Sequence, residues 1–213
     1  MSQTSAPTPR AVIFDADGVL ITPPQLFSRV YCALRGWPAD HLDPFFAAEF
    51  QEALCGRADL KELLLSSPLW DFTGDPQTLL DQWFASEHHL NLPLLELIPH
   101  LRAGGTPVYL ATNQEQYRAG YFRQVMFPDS FDDYFISSEL GVVKNQDKFW
   151  RHLRGRLTES NPGLQPSEII FFDDSPEHID AALRAGVRAH LYRDYDQVAS
   201  LMAVPAPLTD RTK

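Results

Sequence analysis

The sequence predicts an α/β protein in which helices cover both faces of a parallel sheet and a helical segment is inserted after the first strand. From about residue 93 onward, apolar runs typical of strands alternate with helical patterns, which is the arrangement of a parallel sheet packed between helices. The first two strand-like runs, 11–15 and 107–111, are separated by far more residues than one crossover helix needs. We therefore expect the intervening residues to form a domain of their own.

The first strand is predicted at 11–15 and ends in a pair of acids, Asp15 and Asp17. A carboxylate at the C-terminal tip of a buried strand lies where open α/β sheets bind ligands. The two acids repel each other, so the pair either raises one pKa or attracts a cation. A solvated turn is the alternative for this motif. A calcium-binding EF-hand loop does not fit, because its sixth and twelfth positions would be Leu20 and Leu26.

The inserted segment has the apolar spacing of helices rather than of strands. Residues that share a helical face recur at 45–53, 60–64 and 79–84, and Pro-containing breaks at 37–38, 67–68 and 74–76 separate the helices. We expect the aromatic residues of this segment to form mainly its own core. The alternative is that one or two of them face the ligand crevice.

The rest of the chain predicts helices and strands in alternation. Helices are expected at 93–103, 114–125, 146–157 and 176–185, and strands at 134–137, 168–172 and 187–192. The last of these helices has Pro176 at its first position and Gly186 just after its end, as helix ends prefer. The predicted organisation is a core of residues 10–20 and 93–203, a helical domain at 21–92, and flexible termini at 1–9 and 204–213.

Composition excludes several classes of protein. The chain has 213 residues, is 44% hydrophobic and carries a formal net charge of -10. These values fit a globular protein and disfavour a general binder of nucleic acid or anionic membranes. No apolar run reaches membrane length, no signal-peptide pattern is present, and two cysteines are too few for a disulfide framework or a zinc site. We expect a soluble cytoplasmic protein, monomer or homodimer, with no nucleic-acid or membrane partner.

Polar residues also close two later strands. Thr112 and Asn113 follow the second predicted strand, and Asp173 and Asp174 follow the strand at 168–172. Because a parallel sheet aligns its C-terminal ends, these residues should meet the acid pair of the first strand in one crevice. Four carboxylates in one crevice need neutralising charge. Mg²⁺ suits such a site, since it binds through oxygen to a few carboxylates, waters and a phosphate.

Structural roles are the alternative for several of these residues. Thr112 and Glu115 have the spacing of a capping box for the next helix, a role that is compatible with anion binding at the helix N-terminus. Asp174 has the same spacing to Glu177, but two adjacent acids that close a buried strand favour metal binding. Lys144 by itself is a loop lysine that matters only if it reaches the crevice. The seven His residues lack metal-binding spacing and are expected at the surface or in the core.

Taken in order, these motifs resemble those of the haloacid dehalogenase-like (HAD) hydrolases. The four family motifs are similar to 15–19, to Thr112 and Asn113, to Lys144 with Asp147 and Phe149, and to 171–175. The resemblance extends over about residues 10–200 and implies a Rossmann-like core with a helical C1 cap after the first motif. Asn145 departs from the family, which often has Pro there; this affects the shape of the loop more than its charge.

The resemblance implies a chemical role for each motif. Asp15 would attack phosphorus and form an aspartyl-phosphate, which splits one difficult step into two. Asp17 would protonate the leaving oxygen and then activate water. Thr112, the backbone of Asn113 and Lys144 would hold the phosphoryl oxygens in the transition state.

The resemblance also implies a magnesium site. Mg²⁺ would be held by Asp15, the backbone carbonyl of Asp17 and Asp174, with Asp173 in support. Dehalogenases of the family lack the second Asp and work without metal. The presence of Asp17 therefore favours a phosphatase.

The expected function is that of a Mg²⁺-dependent phosphatase acting on a small phosphorylated metabolite. One alternative is a phosphotransferase or sugar-phosphate mutase, which uses the same aspartate and protects the intermediate from water. Another is a non-catalytic HAD-like binding module, whose sequence would have lost Asp15, Asp17 or Lys144, and none of these is lost.

Overall fold

A computed structural model describes residues 9–204, and within them five strands form one parallel sheet. The strands are β1 (Ala11–Phe14), β2 (Val108–Thr112), β3 (Asp133–Ile136), β4 (Ile169–Asp173) and β5 (Arg188–Leu191), and their order in the sheet is β3-β2-β1-β4-β5. Phe14 is aligned with Leu110 of β2 and with Phe172 of β4. The C-terminal ends of the three central strands therefore lie at one edge of the sheet.

Helices occupy the long connection between β1 and β2. They are α1 (Phe27–Arg35), α2 (Asp43–Ala47), α3 (Glu49–Leu54), α4 (Leu60–Ser66) and α5 (Pro76–Ser86). The side chains of Asp59 and Asp75 accept backbone hydrogen bonds at the starts of α4 and α5, which satisfies N–H groups that have no partner within the helix.

Six further helices between residues 92 and 202 accompany the sheet. They are α6 (Leu92–Ala103), α7 (Gln116–Tyr121), α8 (Ser137–Leu140), α9 (Asp147–Ser160), α10 (Pro176–Arg184) and α11 (Tyr195–Met202). A π-helical turn at Phe122–Met126 continues α7, and a short 3₁₀ turn at Pro166–Glu168 precedes β4. None of the helices within residues 9–204 combines the length and apolar composition needed to cross a membrane.

The two faces of the sheet carry separate cores, because successive strand side chains point to opposite faces. On one face, Val12 and Phe14 pack with residues of α6, the π-helical turn and α11. On the other face, Ala11 and Ile13 pack with residues of α9 and α10. All four residues of β1 are fully buried, as expected for the central strand of a parallel sheet. The predicted α/β fold with helices on both faces is confirmed.

The helical insertion has a third core, which is rich in aromatic residues. Phe45 and Trp70 are fully buried, and Trp83 and Phe84 are nearly so. The prediction that its aromatic residues form mainly its own core is confirmed. The domain boundaries at residues 21 and 92 stay a prediction.

Several element boundaries differ from those predicted. A helical face was expected through 45–53, but the chain breaks between α2 and α3 at Ala48, where the backbone leaves the helical region (φ -124°, ψ -82°). Helix α11 was not predicted; the Asp194 side chain caps it by accepting the Gln197 N–H. All five strands differ from their predicted bounds by one residue, four of them at both ends. The termini predicted to be flexible lie outside the described residues, apart from Pro9 and Val204.

Candidate active site

The strand ends bring the predicted site residues together at one edge of the sheet. A cavity of about 500 Å³ is lined there by Asp15, Asp17, Thr112, Asn113, Lys144 and Asp174. The remaining predicted residue, Asp173, is the last residue of β4 and is fully buried behind the cavity. We call this space the acidic cavity. Residues that are far apart in sequence converge because β1, β2 and β4 end at the same level.

Lys144 lies between two buried carboxylates. Its Nζ is 2.5 Å from Asp15 Oδ1 and 2.7 Å from Asp173 Oδ2, and its side chain is only 1% exposed. The loop is held in place by two further bonds: the Lys144 N–H donates to Asn113 Oδ1 at 2.9 Å, and its carbonyl accepts from the Trp150 indole at 2.8 Å. A buried ammonium is stable only when paired in this way. The loop lysine therefore does reach the crevice.

Burial and ion pairing together set the ionisation of Asp15, Asp173 and Lys144. Burial, reinforced by the charge of Asp173, raises the pKa of Asp15 well above its ordinary value, against the opposing effect of Lys144. Burial also favours the neutral form of Asp173, but Lys144 and His178 outweigh it and hold the pKa of Asp173 well below its ordinary value. Burial lowers the pKa of Lys144, and the two carboxylates more than compensate, so its pKa is raised overall. The site thus keeps Lys144 cationic.

Asp17 faces the same cavity with different partners. Its Oδ1 lies 2.9 Å from Arg118 Nη2, and its Oδ2 accepts from the side-chain amide of Gln114. The Asp17 side chain is 47% exposed, whereas Arg118 is 6% exposed. Arg118 Nη1 also lies 2.6 Å from Glu87, and the other oxygen of Glu87 accepts the Phe27 N–H at 2.7 Å. Arg118 therefore connects an acid of the sheet edge to the helical insertion.

Three of these partners, Gln114, Arg118 and Glu87, were not among the predicted site residues. None of them belongs to a motif at a strand end, and the contact between Arg118 and Asp17 joins residues 101 positions apart. The available signal was Glu115, which begins the helix that carries Arg118. If the helix is taken to begin after Glu115 as its N-cap, Arg118 falls in its first turn, close to the sheet edge.

His178 also belongs to the site. Its Nδ1 lies 3.0 Å from Asp173 Oδ1, and its Nε2 lies 3.2 Å from the amide nitrogen of Asn113. The expectation that every His is a surface or core residue was therefore wrong for His178, which lines the acidic cavity. No spacing signal in the sequence distinguishes it from the other six.

The alternative role for Thr112, as part of a capping box with Glu115, is not what the structure has. Thr112 is the last residue of β2 and pairs with Ile136 of β3, so its backbone is extended and the helix begins later. Glu115 is the N-cap itself and accepts the N–H groups of Tyr117 and Arg118, each at 2.6 Å. Burial raises the pKa of this Glu115 carboxyl to about 7. Thr112 is thereby free of the capping role and lines the acidic cavity.

Gly18 allows the first loop to approach Asp174 closely. Its φ of +77° is one that other residues rarely adopt, and a Cβ built on it would lie 2.0 Å from Asp174 Oδ2. Partial desolvation and the neighbouring Asp173 raise the pKa of Asp174. The carboxylate that contacts this loop is therefore Asp174, and Asp173 stays bound to Lys144.

Two sets of residues in this part of the chain have metal-ligand chemistry. Ligand atoms of Asp15, Asp173 and His178 lie within 4.8 Å of one another. The Lys144 ammonium, however, already bridges the two carboxylates of this set, and a cation there would have to compete with it. The other set is Asp15, the Asp17 carbonyl and Asp174, which offers oxygen atoms alone. Oxygen ligands suit a hard divalent cation such as Mg²⁺, so the second set fits magnesium better.

Comparison with known proteins agrees with this architecture. A family model described as a haloacid dehalogenase-like hydrolase matches residues 9–186. A HAD family enzyme from Bacteroides thetaiotaomicron, solved as a complex with magnesium and inorganic phosphate, has a TM-score of 0.73 at 18% identity and is matched over 89% of this chain and 98% of its own. A HAD-like family hydrolase from Porphyromonas gingivalis gives 0.73 at 19% identity, over 92% of this chain and 98% of its own.

A third similar structure is the HAD-hydrolase YfnB from Bacillus subtilis, bound to magnesium, with a TM-score of 0.63 at 16% identity over 93% of this chain and 100% of its own. At these identities the structures support the fold rather than a substrate. The magnesium in two of the three agrees with the predicted cofactor. The family model carries the assignment, because it spans most of the sequence: the chain belongs to the haloacid dehalogenase-like hydrolases.

Proposed function

We propose that this protein is a Mg²⁺-dependent phosphatase that hydrolyses a small phosphorylated metabolite through an aspartyl-phosphate on Asp15. The observation that carries the proposal is the environment of the acid pair. Asp15 and Asp17 line one cavity, but Asp15 is paired with buried Lys144 and Asp17 with Arg118. Two carboxylates in different surroundings can take different chemical roles.

The charge of Lys144, together with that of Mg²⁺ when bound, would hold Asp15 in its ionised form against the effect of burial. In the first step, a carboxylate oxygen of Asp15 attacks phosphorus as the bond to the ester oxygen breaks. Asp17 donates a proton to that oxygen, so the leaving group departs as a neutral alcohol. In the second step, Asp17 takes a proton from water, which attacks the phosphorus and releases inorganic phosphate. Asp15 is regenerated as a carboxylate. Arg118 and Gln114 hold Asp17 in position for both proton transfers.

Thr112, Asn113 and Lys144 are the residues we assign to the phosphoryl oxygens. All three line the acidic cavity. Lys144 supplies a fixed positive charge where negative charge accumulates in the transition state, and a buried charge acts more strongly than one in water. Asp173 is the positioning residue for Lys144, through the contact at 2.7 Å.

We assign Mg²⁺ to the carboxylates of Asp15 and Asp174 and to the backbone carbonyl of Asp17. Asp173 supports Lys144 from behind. When bound, Mg²⁺ would supply positive charge that reduces the repulsion between Asp15 and a phosphate. The oxygen-only ligand set and the close approach of Gly18 to Asp174 support this assignment. The magnesium complexes of the related structures point the same way.

Residues 21–92 would act as the cap over this cavity. Thr22, Pro23 and Leu26, at the start of the insertion, already line it. A cap that covers the cavity would exclude bulk water and select the leaving group. A covered site also favours a small metabolite over a folded phosphoprotein.

The test is phosphate release from p-nitrophenyl phosphate and from acetyl phosphate, by wild type and Asp15→Asn, each with Mg²⁺ and with EDTA. We expect turnover only in wild type with Mg²⁺, and a loss of at least about 10³-fold in Asp15→Asn with the fold unchanged. Full activity in Asp15→Asn would overturn the covalent mechanism. A phosphatase transfers the phosphoryl group to water, whereas a phosphotransferase or mutase transfers it to an added alcohol, so the identity of the product separates these functions. A wild type that turns over neither compound would contradict the proposed activity.

A further inference from the structure

A second cavity, of about 370 Å³, adjoins the acidic cavity on the side of the helical insertion. We call it the aromatic chamber, and its apolar lining consists of Pro23, Leu26, Phe46, Phe50, Trp83 and Phe84. The two cavities share Asp17, Gly18, Pro23, Leu26 and Asn113. Asp17 therefore lies at the boundary between the space assigned to the phosphoryl group and this chamber.

Three aromatic rings form a continuous wall of the chamber. The Phe46 ring meets Phe50 edge to face with centroids 5.2 Å apart, and it meets Trp83 edge to face at 5.7 Å. Trp83 is 6% exposed, but Phe46 and Phe50 are only partly buried. Leu26, at the boundary with the acidic cavity, is 54% exposed. Apolar side chains left open in a concave site are typical of a ligand pocket.

The arginines of the chamber are paired with its acids, and Glu115, the remaining acid of the lining, is bound by the N–H groups of the helix that it caps. Within residues 9–204, its cationic side chains are Arg29 and Arg118. Arg29 lies 2.9 Å from Asp43, and Arg118 is bound by Asp17 and Glu87. A second phosphate or a carboxylate on the leaving group would find no unpaired cation there. Polar side chains such as Ser28 and Gln114 also line the chamber, but most of its surface is apolar, so most hydroxyls of a sugar or polyol would face aromatic or aliphatic carbon. That costs free energy when no hydrogen bond replaces those to water.

We propose that the aromatic chamber binds the leaving group, and that the substrate is a phosphomonoester of an uncharged aromatic alcohol. This inference rests on the proposed phosphatase activity and specifies its substrate class. With the phosphoryl group in the acidic cavity and a ring in the chamber, the ester oxygen lies beside Asp17, which is the proton donor that it needs. The chamber has the volume of a small-molecule pocket, and an aromatic group with one or two rings matches that size.

The test compares 2-phenylethyl phosphate with glycerol 3-phosphate. Both are esters of primary alcohols, so a difference in kcat/KM reports binding of the leaving group rather than its intrinsic reactivity. We expect wild type to prefer the aromatic ester by about 30-fold or more, the value of burying one ring. In the double variant Phe46→Leu/Phe50→Leu, this preference should fall by about fivefold or more, because leucine keeps the apolar volume and removes the ring contacts. Phe72→Leu is the matched control, since Phe72 packs on the same core but lines neither cavity.

The outcomes separate this inference from the proposed function. If wild type hydrolyses acetyl phosphate but treats the two esters equally, or if the double variant keeps the full preference, the phosphatase activity stands and the aromatic chamber is not the leaving-group site. If nothing is hydrolysed, calorimetry of 2-phenylethyl phosphate and glycerol 3-phosphate with Asp15→Asn decides. Tighter binding of the aromatic ester, weakened by the double variant, supports the chamber, and equal binding overturns it.

Discussion

The guanidinium of Arg118 lies 2.9 Å from the carboxylate of Asp17, although Arg118 is nearly buried and Asp17 is half exposed. A buried arginine that reaches a cavity-facing acid fixes the direction of that carboxylate without covering it. The same guanidinium is held from behind by Glu87, whose other oxygen binds the start of α1. The position of Asp17 is thereby linked to the position of the helical insertion.

Replacing Arg118 with Met should lower kcat by about 10²-fold with a smaller change in KM, because Asp17 loses its orientation for proton transfer. The single variant also leaves Glu87 buried without its cation, so it should be studied with the double variant Arg118→Met/Glu87→Gln, which removes both charges. Steady-state kinetics on p-nitrophenyl phosphate and urea unfolding measure the two effects. Arg123→Met is the control, since Arg123 forms an ion pair with Glu139 at the exposed surface. A double variant with wild-type kcat would show that Arg118 has only a structural role.

Replacing Lys144 with Met should abolish activity and also destabilise the fold. The change leaves Asp15 and Asp173 buried together without a cation, and we expect a loss of about 3–5 kcal/mol in the free energy of unfolding. The second change in Lys144→Met/Asp173→Asn removes one of these charges and should restore part of the stability but none of the activity. Urea unfolding and phosphate release are the measurements, with the exposed Lys148→Met as the control. Equal stability of the two Lys144 variants would contradict this account of the buried charges.

Replacing Gly18 with Ala should weaken Mg²⁺ binding, so that a higher Mg²⁺ concentration is needed for activity. The new Cβ would displace Asp174, since it would lie 2.0 Å from Oδ2. The control is Gly36→Ala, where φ is +67° and nothing lies within 4 Å of the added Cβ. Both variants should lose about 1–2 kcal/mol of stability from the left-handed backbone. Only Gly18→Ala should raise the Mg²⁺ concentration for half-maximal activity, by about tenfold, and the same rise in both would argue against Asp174 as a ligand.

Replacing Glu115 with Gln should change how stability depends on pH. Burial raises the pKa of Glu115 from its ordinary value of 4.5 to about 7, so between these pH values the folded state binds a proton that the unfolded state releases. The contribution of Glu115 is therefore most favourable below about pH 4.5 and is lost as the pH rises to about 7, by up to about 3 kcal/mol. Gln does not titrate and keeps one of the two oxygens that accept backbone bonds in the cap. The loss of the other bond lowers the stability of the variant equally at every pH. The difference between variant and wild type in urea unfolding should thus grow in favour of the variant from pH 5 to pH 7, and a constant difference would refute the raised pKa.

Some features of the site could be predicted from local sequence patterns alone. An apolar strand followed by Asp15, another followed by Asn113, and a third that ends in Asp173 are visible as patterns, and the rule that parallel strands end at one edge places them together. The capping box at Thr112 failed because pairing with β3 extends β2 through that residue. The interaction that decided this was between strands, and a local motif does not contain it.

The sequence by itself determined the α/β class, the helical insertion, its aromatic core and the strand-end residues of the site, because hydrophobic periodicity and strand polarity are properties of short segments. Only the tertiary structure decided that Lys144 bridges Asp15 and Asp173 and that Arg118 bridges Asp17 and Glu87. These ion pairs join residues from distant segments, and the strand register and the packing of the insertion set the distances between them. The aromatic chamber has the same origin, since helices of the insertion and the sheet edge each supply part of its wall.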